Sequence, residues 1–294
     1  MTRVEVLPAR PSLEFLKKLA KQEVATLRQQ GKTSSLAAVQ LSLARKYVFP
    51  SWRKLKAHVD LLEGAAAAVA AISSGDTKLL KRLLRQNPHL AKTRIDDQRT
   101  LLHIATDWPG HFPNNKETIV ALVASGADVN AEFVGQQSET PLHWAASSDD
   151  VGVIDVLLDH GASIEARGSV IGGGTPMSDA VAFGQWRAAR RLLERGARTT
   201  LWQAAALGLM DRVADNFTVV PPPTPDEITN AFWCACHGGK WAMAEYLLGR
   251  GADLNWIGYD GLSPLDAAKR SGADELVQWL RSRGAKSAKG STVG

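Results

Sequence analysis

The sequence predicts an all-α protein, in which a small N-terminal three-helix unit precedes a solenoid of stacked helix-turn-helix-hairpin repeats. Three observations favour this fold class. The composition, with 45% apolar and 22% charged residues among 294, is that of a globular protein and excludes a wholly disordered chain. Apolar residues recur at helical spacing in successive segments. The tripeptide Gly-Ala-x returns at intervals of 35, 35, 55 and 33 residues, at Gly126, Gly161, Gly196, Gly251 and Gly284.

Residues 1–63 are predicted to form the N-terminal helical leader, a cap of three helices. The first helix begins at Ser12 and ends near Gly31, the second spans residues 35–47, and the third follows Ser51. We expect this unit to pack on the first repeat and to shield its open end. The residues expected to be buried are Leu13, Leu16, Leu19, Ala20, Val24 and Leu27 in the first helix, Leu36, Val39, Leu43 and Ala44 in the second, and Trp52, Leu55, Val59 and Leu62 in the third.

The leader also carries the basic charge of the protein. It contains twelve Lys or Arg and five acidic residues, a net charge of +7, whereas residues 64–294 carry 23 basic and 25 acidic residues, a net charge of −2. Such asymmetry is typical of an interaction tail or cap. An alternative is a helix-turn-helix with its turn at residues 49–51, in which Arg53, Lys54 and Lys56 would contact nucleic-acid phosphates. Nucleic-acid binding is disfavoured, because the third helix offers no Asn or Gln to read adenine edges.

Residues 64–294 are predicted to form a repeat array of about seven copies. In the fullest copy, Thr140 and Pro141 suit the start of a helix, because Thr can cap exposed amides and Pro is accommodated in the first turn. The Leu-Leu pair at 157–158 is expected to bury the second helix, and Gly161 lies where a helix ends in a left-handed conformation. One such copy cannot bury its own apolar face, so it is stable only when neighbouring copies stack on it.

This copy resembles the ankyrin repeat, whose motif is T-P-L-H-x-A-A followed by L-L-x-x-G-A-D. The matching residues are Thr140, Pro141, Leu142, His143, Ala145, Ala146, Leu157, Leu158, Gly161 and Ala162. The resemblance covers about residues 64–288, with copies near 65–98, 99–138, 139–173, 174–198, 199–223, 224–258 and 259–288. It implies a non-catalytic module that binds a protein partner through the concave groove and hairpin tips of the solenoid. The leader is similar to a helical segment that precedes ankyrin repeats in many uncharacterised bacterial proteins.

The array departs from regularity near residues 106–114 and 214–226. The second copy has a five-residue surplus, which places residues 108–113 in a loop between its two helices. The fifth copy loses its second helix after Val213 and continues into four prolines within residues 221–225, where we expect no helix. Insertions in repeat proteins often lie on the binding surface, so these segments are candidates for functional sites.

An alternative function follows from the same two segments, which could enclose a small-molecule or catalytic pocket lined by aromatic residues, His111 and Asp179. The first residues do not resemble a secretion signal, and no stretch reaches the roughly 18 uncharged apolar residues of a membrane span. We therefore expect a cytoplasmic protein without a membrane partner.

The residue pattern contains no recognisable catalytic or metal site, and we expect no cofactor and no enzymatic activity. His103 and His143 occupy the repeat motif, where the resemblance implies that the imidazole braces the adjacent turn. Cys234, Cys236 and His237 match no zinc spacing, so we expect two buried, reduced thiols.

Tryptophan is frequent, with nine in 294 residues. Aligned copies place Trp144, Asp179 and Gln203 at the variable position that faces the groove in ankyrin repeats. Large rigid aromatic side chains beside a few charges are how binding hot spots are built. The tryptophans expected to fill the core between repeats are Trp186, Trp202, Trp233, Trp241 and Trp279. The predicted partner-binding groove consists of Asp107, Trp108, His111, Phe112, Trp144, Asp179, Phe183 and Gln203.

Overall fold

The computed structural model describes residues 5–8 and 11–288. Residues 1–4 and 9–10 of the predicted leader and residues 289–294 of the predicted array lie outside the described residues. The described chain is built from α-helices with one two-stranded hairpin, which confirms the predicted fold class. It divides into two compact units, one comprising Met1–Ala105 and Phe112–Asp128, the other Thr106–His111 and Val129–Gly294.

In the first unit, the three leader helices are α1 (Leu13–Gln29), α2 (Leu36–Lys46) and α3 (Trp52–Ser74). Each begins after a serine whose hydroxyl accepts a hydrogen bond from a backbone amide three residues later, which satisfies one of the amides left open at a helix start. Buried residues from all three helices form one core. The serines are Ser12, Ser35 and Ser51, and the core residues are Leu13, Leu16, Ala20, Val24, Val39, Leu43, Ala44, Leu55 and Val59.

Two expectations for the leader need correction. Leu36 is exposed, because it stands in the first turn of α2, at the end of the helix. The third leader helix and the first helix of the first copy are one continuous helix, so the predicted boundary after residue 63 falls inside α3. The helix continues because Gly64 is followed by a run of alanines, the strongest helix formers, and it ends at Gly75 in a left-handed conformation with φ 70°.

The first unit continues into the first repeat copies. The helix α3 packs on α4, and α4 packs on α6. The elements are α4 (Thr77–Gln86), a short 3₁₀ helix (Pro88–Lys92), the antiparallel strands β1 (Arg94–Ile95) and β2 (Arg99–Thr100), α5 (Leu101–Thr106) and α6 (Asn115–Ala124). The loop between α5 and α6 is the irregular segment predicted near residues 106–114.

The described part of the second unit contains five helix pairs, which correspond to the predicted third to seventh copies. First helices of successive pairs pack on one another. Gly161, after the second helix of the first pair, adopts φ 90°, which is the left-handed helix end predicted from the motif. The pairs are α7 (Pro141–Ser147) and α8 (Val151–Asp159), α9 (Pro176–Ala182) and α10 (Trp186–Glu194), α11 (Leu201–Leu207) and α12 (Met210–Asn216), α13 (Pro225–His237) and α14 (Trp241–Leu248), and α15 (Pro264–Arg270) and α16 (Asp274–Ser282).

The fifth copy is short, as predicted, because α12 ends at Asn216 and residues 217–224 form no helix. Pro225 differs from the expectation: it opens α13 in the first turn, where a missing amide hydrogen costs no helical hydrogen bond. None of the helices in the described ranges combines the length and the apolar character needed to cross a membrane.

Candidate functional site

The loop that follows α5 is anchored to the turn between α7 and α8. Nε2 of His111 lies 3.0 Å from the carbonyl oxygen of Ser148, and the His111 amide donates to Oδ2 of Asp150 at 3.2 Å. Gly110 has φ 72°, and a Cβ added there would lie 2.8 Å from Cβ of Ser148, so this close approach requires glycine. These contacts hold the neighbouring Trp108 beside α7.

Three aromatic side chains of the predicted groove surround one cavity of about 450 Å³. Trp108 is 78% exposed and Phe183 is 50% exposed, whereas Trp144 is half-buried. With Asp107, which also lines this cavity, the structure brings together four of the predicted site residues. Their role in binding stays a prediction. We call this the aromatic cavity; it is lined by Asp107, Trp108, Glu139, Trp144, Ser147, Ser148, Val170, Phe183 and Gln185.

Trp144 is held in a fixed orientation by contacts on two sides. Its Nε1 donates a hydrogen bond to Oε2 of Glu139 at 3.1 Å, and its ring lies 5.7 Å, centroid to centroid, from the ring of Phe133. The amide of Val170 donates to the other oxygen of Glu139, Oε1, at 3.3 Å. An aromatic side chain fixed in this way loses little conformational freedom when it binds, which suits it to present apolar surface.

Two acidic side chains hold the turn at residues 169–170. Ser169 donates to Oδ1 of Asp179 at 2.5 Å, next to the Val170 amide that binds Glu139. Burial raises the pKa of Asp179 to about 8, against the lowering effect of the Ser169 hydrogen bond and with a further raising effect from Glu139. Burial also raises the pKa of Glu139, opposed by the two hydrogen bonds that it accepts. Asp179 is therefore mostly protonated at neutral pH.

Four predicted groove residues do not line the aromatic cavity. Asp179 and Gln203 are buried, at 0% and 2% exposure, so the expectation that they face the groove is wrong. Gln203 is instead used at the start of α11, where its Oε1 accepts a hydrogen bond from the Thr200 amide at 2.8 Å. His111 is exposed and anchors its own loop, and Phe112 belongs to the other compact unit.

Glu139 is a cavity residue that sequence reasoning missed. It directly precedes Thr140 and carries no motif of its own. Its position depends on a hydrogen bond from Val170, 31 residues further along the chain, which no local pattern reveals. The prolines at residues 221–225 are absent from the lining of the aromatic cavity, so the two irregular segments do not enclose it together as the small-molecule alternative required.

The two motif histidines brace helix starts. The amide of Thr100 donates to Nδ1 of His103 at 3.3 Å, and the amide of Thr140 donates to Nδ1 of His143 at 3.0 Å. Both imidazoles are fully buried, which confirms the structural role implied by the motif. Across the residues that the structure describes, no group of three or more His, Cys, Asp or Glu side chains could hold a metal ion.

A second aromatic group is built around Trp233, which is 3% exposed. Its Nε1 donates to the carbonyl oxygen of Leu262 at 2.9 Å, and its ring contacts His237 and Tyr259 at centroid distances of 5.6 and 5.2 Å. The guanidinium of Arg270 lies 5.9 Å from the Trp233 ring centroid. We call Trp233, His237, Tyr259 and Arg270 the Trp233 cluster.

The other core expectations are met in part. Trp233 is buried as predicted, whereas Trp241 is 40% exposed, because it stands at the first position of α14, and that expectation is wrong. Trp186, Trp202 and Trp279 are half-buried. Cys234 and Cys236 are free and buried, as predicted, and burial raises the pKa of both thiols.

Comparison with known proteins identifies similar chains. The profile of the family described as "Ankyrin repeats (3 copies)" matches residues 114–203. The chain is 31% identical over 175 residues to Protein PhlB of Serratia liquefaciens, an alignment that covers 59% of this chain and 67% of PhlB. It is 27% identical over 234 residues to Ankyrin repeat and KH domain-containing protein mask-1 of Caenorhabditis elegans, which covers 76% of this chain.

The similarity to larger proteins is confined to a part of their length. The chain spans 9% of mask-1 and at most 14% of other large animal relatives that it matches. Among solved structures, the human ASB11 ankyrin repeat domain is similar with a TM-score of 0.45 and 22% identity, over 72% of this chain and 96% of that domain.

Proposed function

The chain belongs to the ankyrin-repeat family, and on that premise we propose that it is a non-catalytic module that binds a protein partner through the aromatic cavity. Ankyrin repeats generally act as protein-protein interaction modules. The observation that carries the proposal is the exposure of Trp108 beside Trp144 and Phe183 around one cavity. Clustered exposed apolar side chains mark interaction surfaces, and tryptophan is among the residues most enriched in binding hot spots.

The proposed binding surface extends to one hairpin tip. Val170 is 48% exposed and lines the aromatic cavity, and it lies in the turn that leads to the second helix pair of its unit. Gly172 and Gly173 complete this turn with φ values of 60° and 66°, conformations that favour glycine. A partner seated in the aromatic cavity would therefore also contact this tip, as the resemblance to ankyrin repeats implies.

We place this module in the cytoplasm of a bacterial cell. The leader is similar to segments that precede ankyrin repeats in bacterial proteins. Support for a reducing compartment comes from Cys234 and Cys236, which are free and buried. This chain corresponds to only a small part of the length of the larger relatives, so their activities are not part of the proposed function.

A random-peptide display library, selected against the whole chain, tests the proposed function and requires no identified partner. We expect the chain to enrich a family of related peptides, and the double variant Trp108→Ala/Trp144→Ala to lose that enrichment while keeping its helical circular dichroism. Trp241→Ala is the matched control, since Trp241 is an exposed tryptophan that does not line the aromatic cavity. Failure to enrich any peptide family, or equal enrichment by the double variant, would overturn the proposed function.

A further inference from the structure

The aromatic cavity is acidic as well as aromatic. Among its nine lining residues two are acidic, Asp107 and Glu139, and none is basic. This contrasts with a chain that has 35 Lys or Arg and a net charge of +5. The ligand that suits such a lining is one that combines apolar surface with a positive charge.

Both acidic side chains accept a hydrogen bond from a tryptophan of the cavity. Oδ1 of Asp107 accepts a hydrogen bond from the amide of Trp108 at 3.0 Å, which keeps this carboxylate beside that tryptophan. Oε2 of Glu139 accepts the bond from Nε1 of Trp144 at 3.1 Å. One carboxyl group is thus bonded to the backbone of Trp108 and the other to the indole of Trp144, and carboxyl groups that line a cavity together with aromatic rings favour a cationic ligand.

A third carboxyl group is buried next to the turn that Glu139 holds, and it is mostly protonated at neutral pH. Asp179 is fully buried, its Oδ1 binds Ser169, and its Oδ2 has no hydrogen-bond partner among the residues that the structure describes. Asp179 and Glu139 interact electrostatically and bind adjacent residues of one turn. A positive charge brought to Glu139 would favour the ionised form of both groups.

We propose that the aromatic cavity receives a lysine or arginine side chain of the protein partner, with its alkyl stem against Trp108, Trp144 and Phe183 and its charged end against Asp107 and Glu139. This inference rests on the proposed function of the same cavity. Cation-aromatic attraction and the two carboxylates act together on such a side chain. An acidic side chain would be repelled, and a wholly apolar one would cover the carboxylates without supplying an opposite charge.

The cavity volume is consistent with this occupant. About 450 Å³ is enough for one long side chain together with its neighbouring backbone, and the exposure of Trp108 and Phe183 leaves both rings accessible to an entering chain. Lysine and arginine bury their alkyl stems readily while their charged ends stay hydrogen-bonded. The stem would therefore contact the aromatic residues of the cavity lining, and the charged end would contact its acidic residues.

The test begins with peptides selected by display against the whole chain. We expect the peptides whose binding depends on Trp144 to share a Lys or Arg. In a labelled synthetic peptide, norleucine in place of that lysine keeps the stem and removes the charge. We expect this replacement to raise the dissociation constant at least about tenfold, as for loss of a charge-assisted hydrogen bond. Fluorescence anisotropy measures both dissociation constants.

Variants of the chain identify the groups that recognise the charge. We expect Asp107→Asn and Glu139→Gln each to weaken the lysine peptide about tenfold and to leave the norleucine peptide unchanged. Asp107→Asn is the cleaner variant, because it keeps the hydrogen bond between Glu139 and Trp144. Asp211→Asn is the matched control, since Asp211 is an exposed acid on α12 that does not line the aromatic cavity, and it should change neither dissociation constant.

The outcomes separate this inference from the proposed function. Trp144-dependent peptides without a basic residue, or a norleucine peptide that binds as tightly as the lysine peptide, would overturn the inference and leave the proposed function standing. Binding that is indifferent to Trp108→Ala/Trp144→Ala would overturn both. Displacement of the peptide by micromolar methylammonium chloride would identify a free small cation as the ligand and would also overturn the inference.

Discussion

The aromatic cavity and the Trp233 cluster lie in one compact unit and use the same side chain in opposite ways. In the Trp233 cluster the indole is covered by His237 and Tyr259, and its Nε1 is hydrogen-bonded to a backbone carbonyl. In the aromatic cavity the indoles keep exposed surface, and the Nε1 of Trp144 binds a carboxylate. The difference indicates that the number of tryptophans alone does not identify a binding surface. The exposure of each indole ring and the hydrogen-bond partner of its Nε1 distinguish a tryptophan available for binding from one that fills the core.

The two regions also differ in how their charged side chains are paired. Arg270 of the Trp233 cluster pairs with Asp260 at 2.6 Å, so a basic and an acidic group neutralise each other there. The lining of the aromatic cavity has acidic groups and no basic residue. The first region is thus expected to contribute stability, and the second to contribute recognition.

The largest expected effect is the loss of stability in Trp233→Ala. Removing a buried indole leaves a void and deletes its hydrogen bond to the Leu262 carbonyl, so we expect the free energy of unfolding to fall by about 3–5 kcal/mol. Urea denaturation measures this change. Trp241→Ala, at an exposed position, should cost less than about 1 kcal/mol. Similar losses for the two variants would contradict the account of the Trp233 cluster.

Asp179, which is buried near the aromatic cavity, and His237 of the Trp233 cluster should make the stability depend on pH with opposite signs. Asp179 has a pKa of about 8 in the folded chain, above the value of an unfolded Asp, so its contribution is fully present near pH 4 and is lost as the pH rises through 8. Burial lowers the pKa of His237 below its ordinary value, so its contribution is present above pH 6.5 and is lost as the pH falls.

The variant Asp179→Asn tests whether the loss of stability at alkaline pH comes from Asp179. Since one unit of pKa shift corresponds to about 1.4 kcal/mol, we expect the wild-type chain to lose on the order of 4 kcal/mol between pH 5 and pH 9 through Asp179, and the variant to keep that stability. Thermal unfolding at pH 5, 7 and 9 measures the difference. Parallel profiles for wild type and variant would show that Asp179 is not held protonated by burial.

A smaller loss is expected from Gly110→Ala, which tests how the aromatic cavity is assembled. The added Cβ would lie 2.8 Å from Cβ of Ser148 in a left-handed backbone, so we expect a cost of about 1–2 kcal/mol and a displaced loop. The displaced loop moves Trp108, so peptide binding should weaken as well. Gly196→Ala is the control: its φ is also positive, but its Cβ meets no atom within 4 Å, so stability falls while peptide binding is kept.

A change in stability as small as that of Gly110→Ala is expected for Trp144→Ala. The ring is half-buried, so its removal should cost only about 1–2 kcal/mol in the urea measurement, well below the loss in Trp233→Ala. Peptide binding should nevertheless be lost, which separates recognition from stability. A loss of stability as large as that of Trp233→Ala would place Trp144 in the core and contradict its proposed role.

The fold was predictable because its signals are local. Thr140 and Pro141 start a helix, and Gly161 ends one, through contacts within a few residues. The helix α3 runs through the boundary predicted after residue 63, because its alanine run continues the helix where the repeat pattern indicates a new element.

The site was predictable only in part because its contacts are distant in sequence. Alignment of the copies placed Trp144, Asp179 and Gln203 on the same helical position, whereas Gln203 is the third residue of α11, the place that His143 takes in α7. Asp179 is buried by its bond to Ser169, and Gln203 by its bond to the Thr200 amide. Glu139 is held in the site by hydrogen bonds from Trp144 and from Val170, and Val170 is 31 residues away in the sequence.

The most direct test of the central claim is the dissociation constant of one display-selected peptide, measured by fluorescence anisotropy with the wild-type chain, Trp108→Ala/Trp144→Ala and Trp241→Ala. Because the double variant lacks two hot-spot tryptophans, we expect its dissociation constant to be at least about a hundredfold higher than that of the wild-type chain. The same account predicts an unchanged constant for Trp241→Ala. Equal affinity for the wild-type chain and the double variant would contradict the claim that the aromatic cavity is the binding surface.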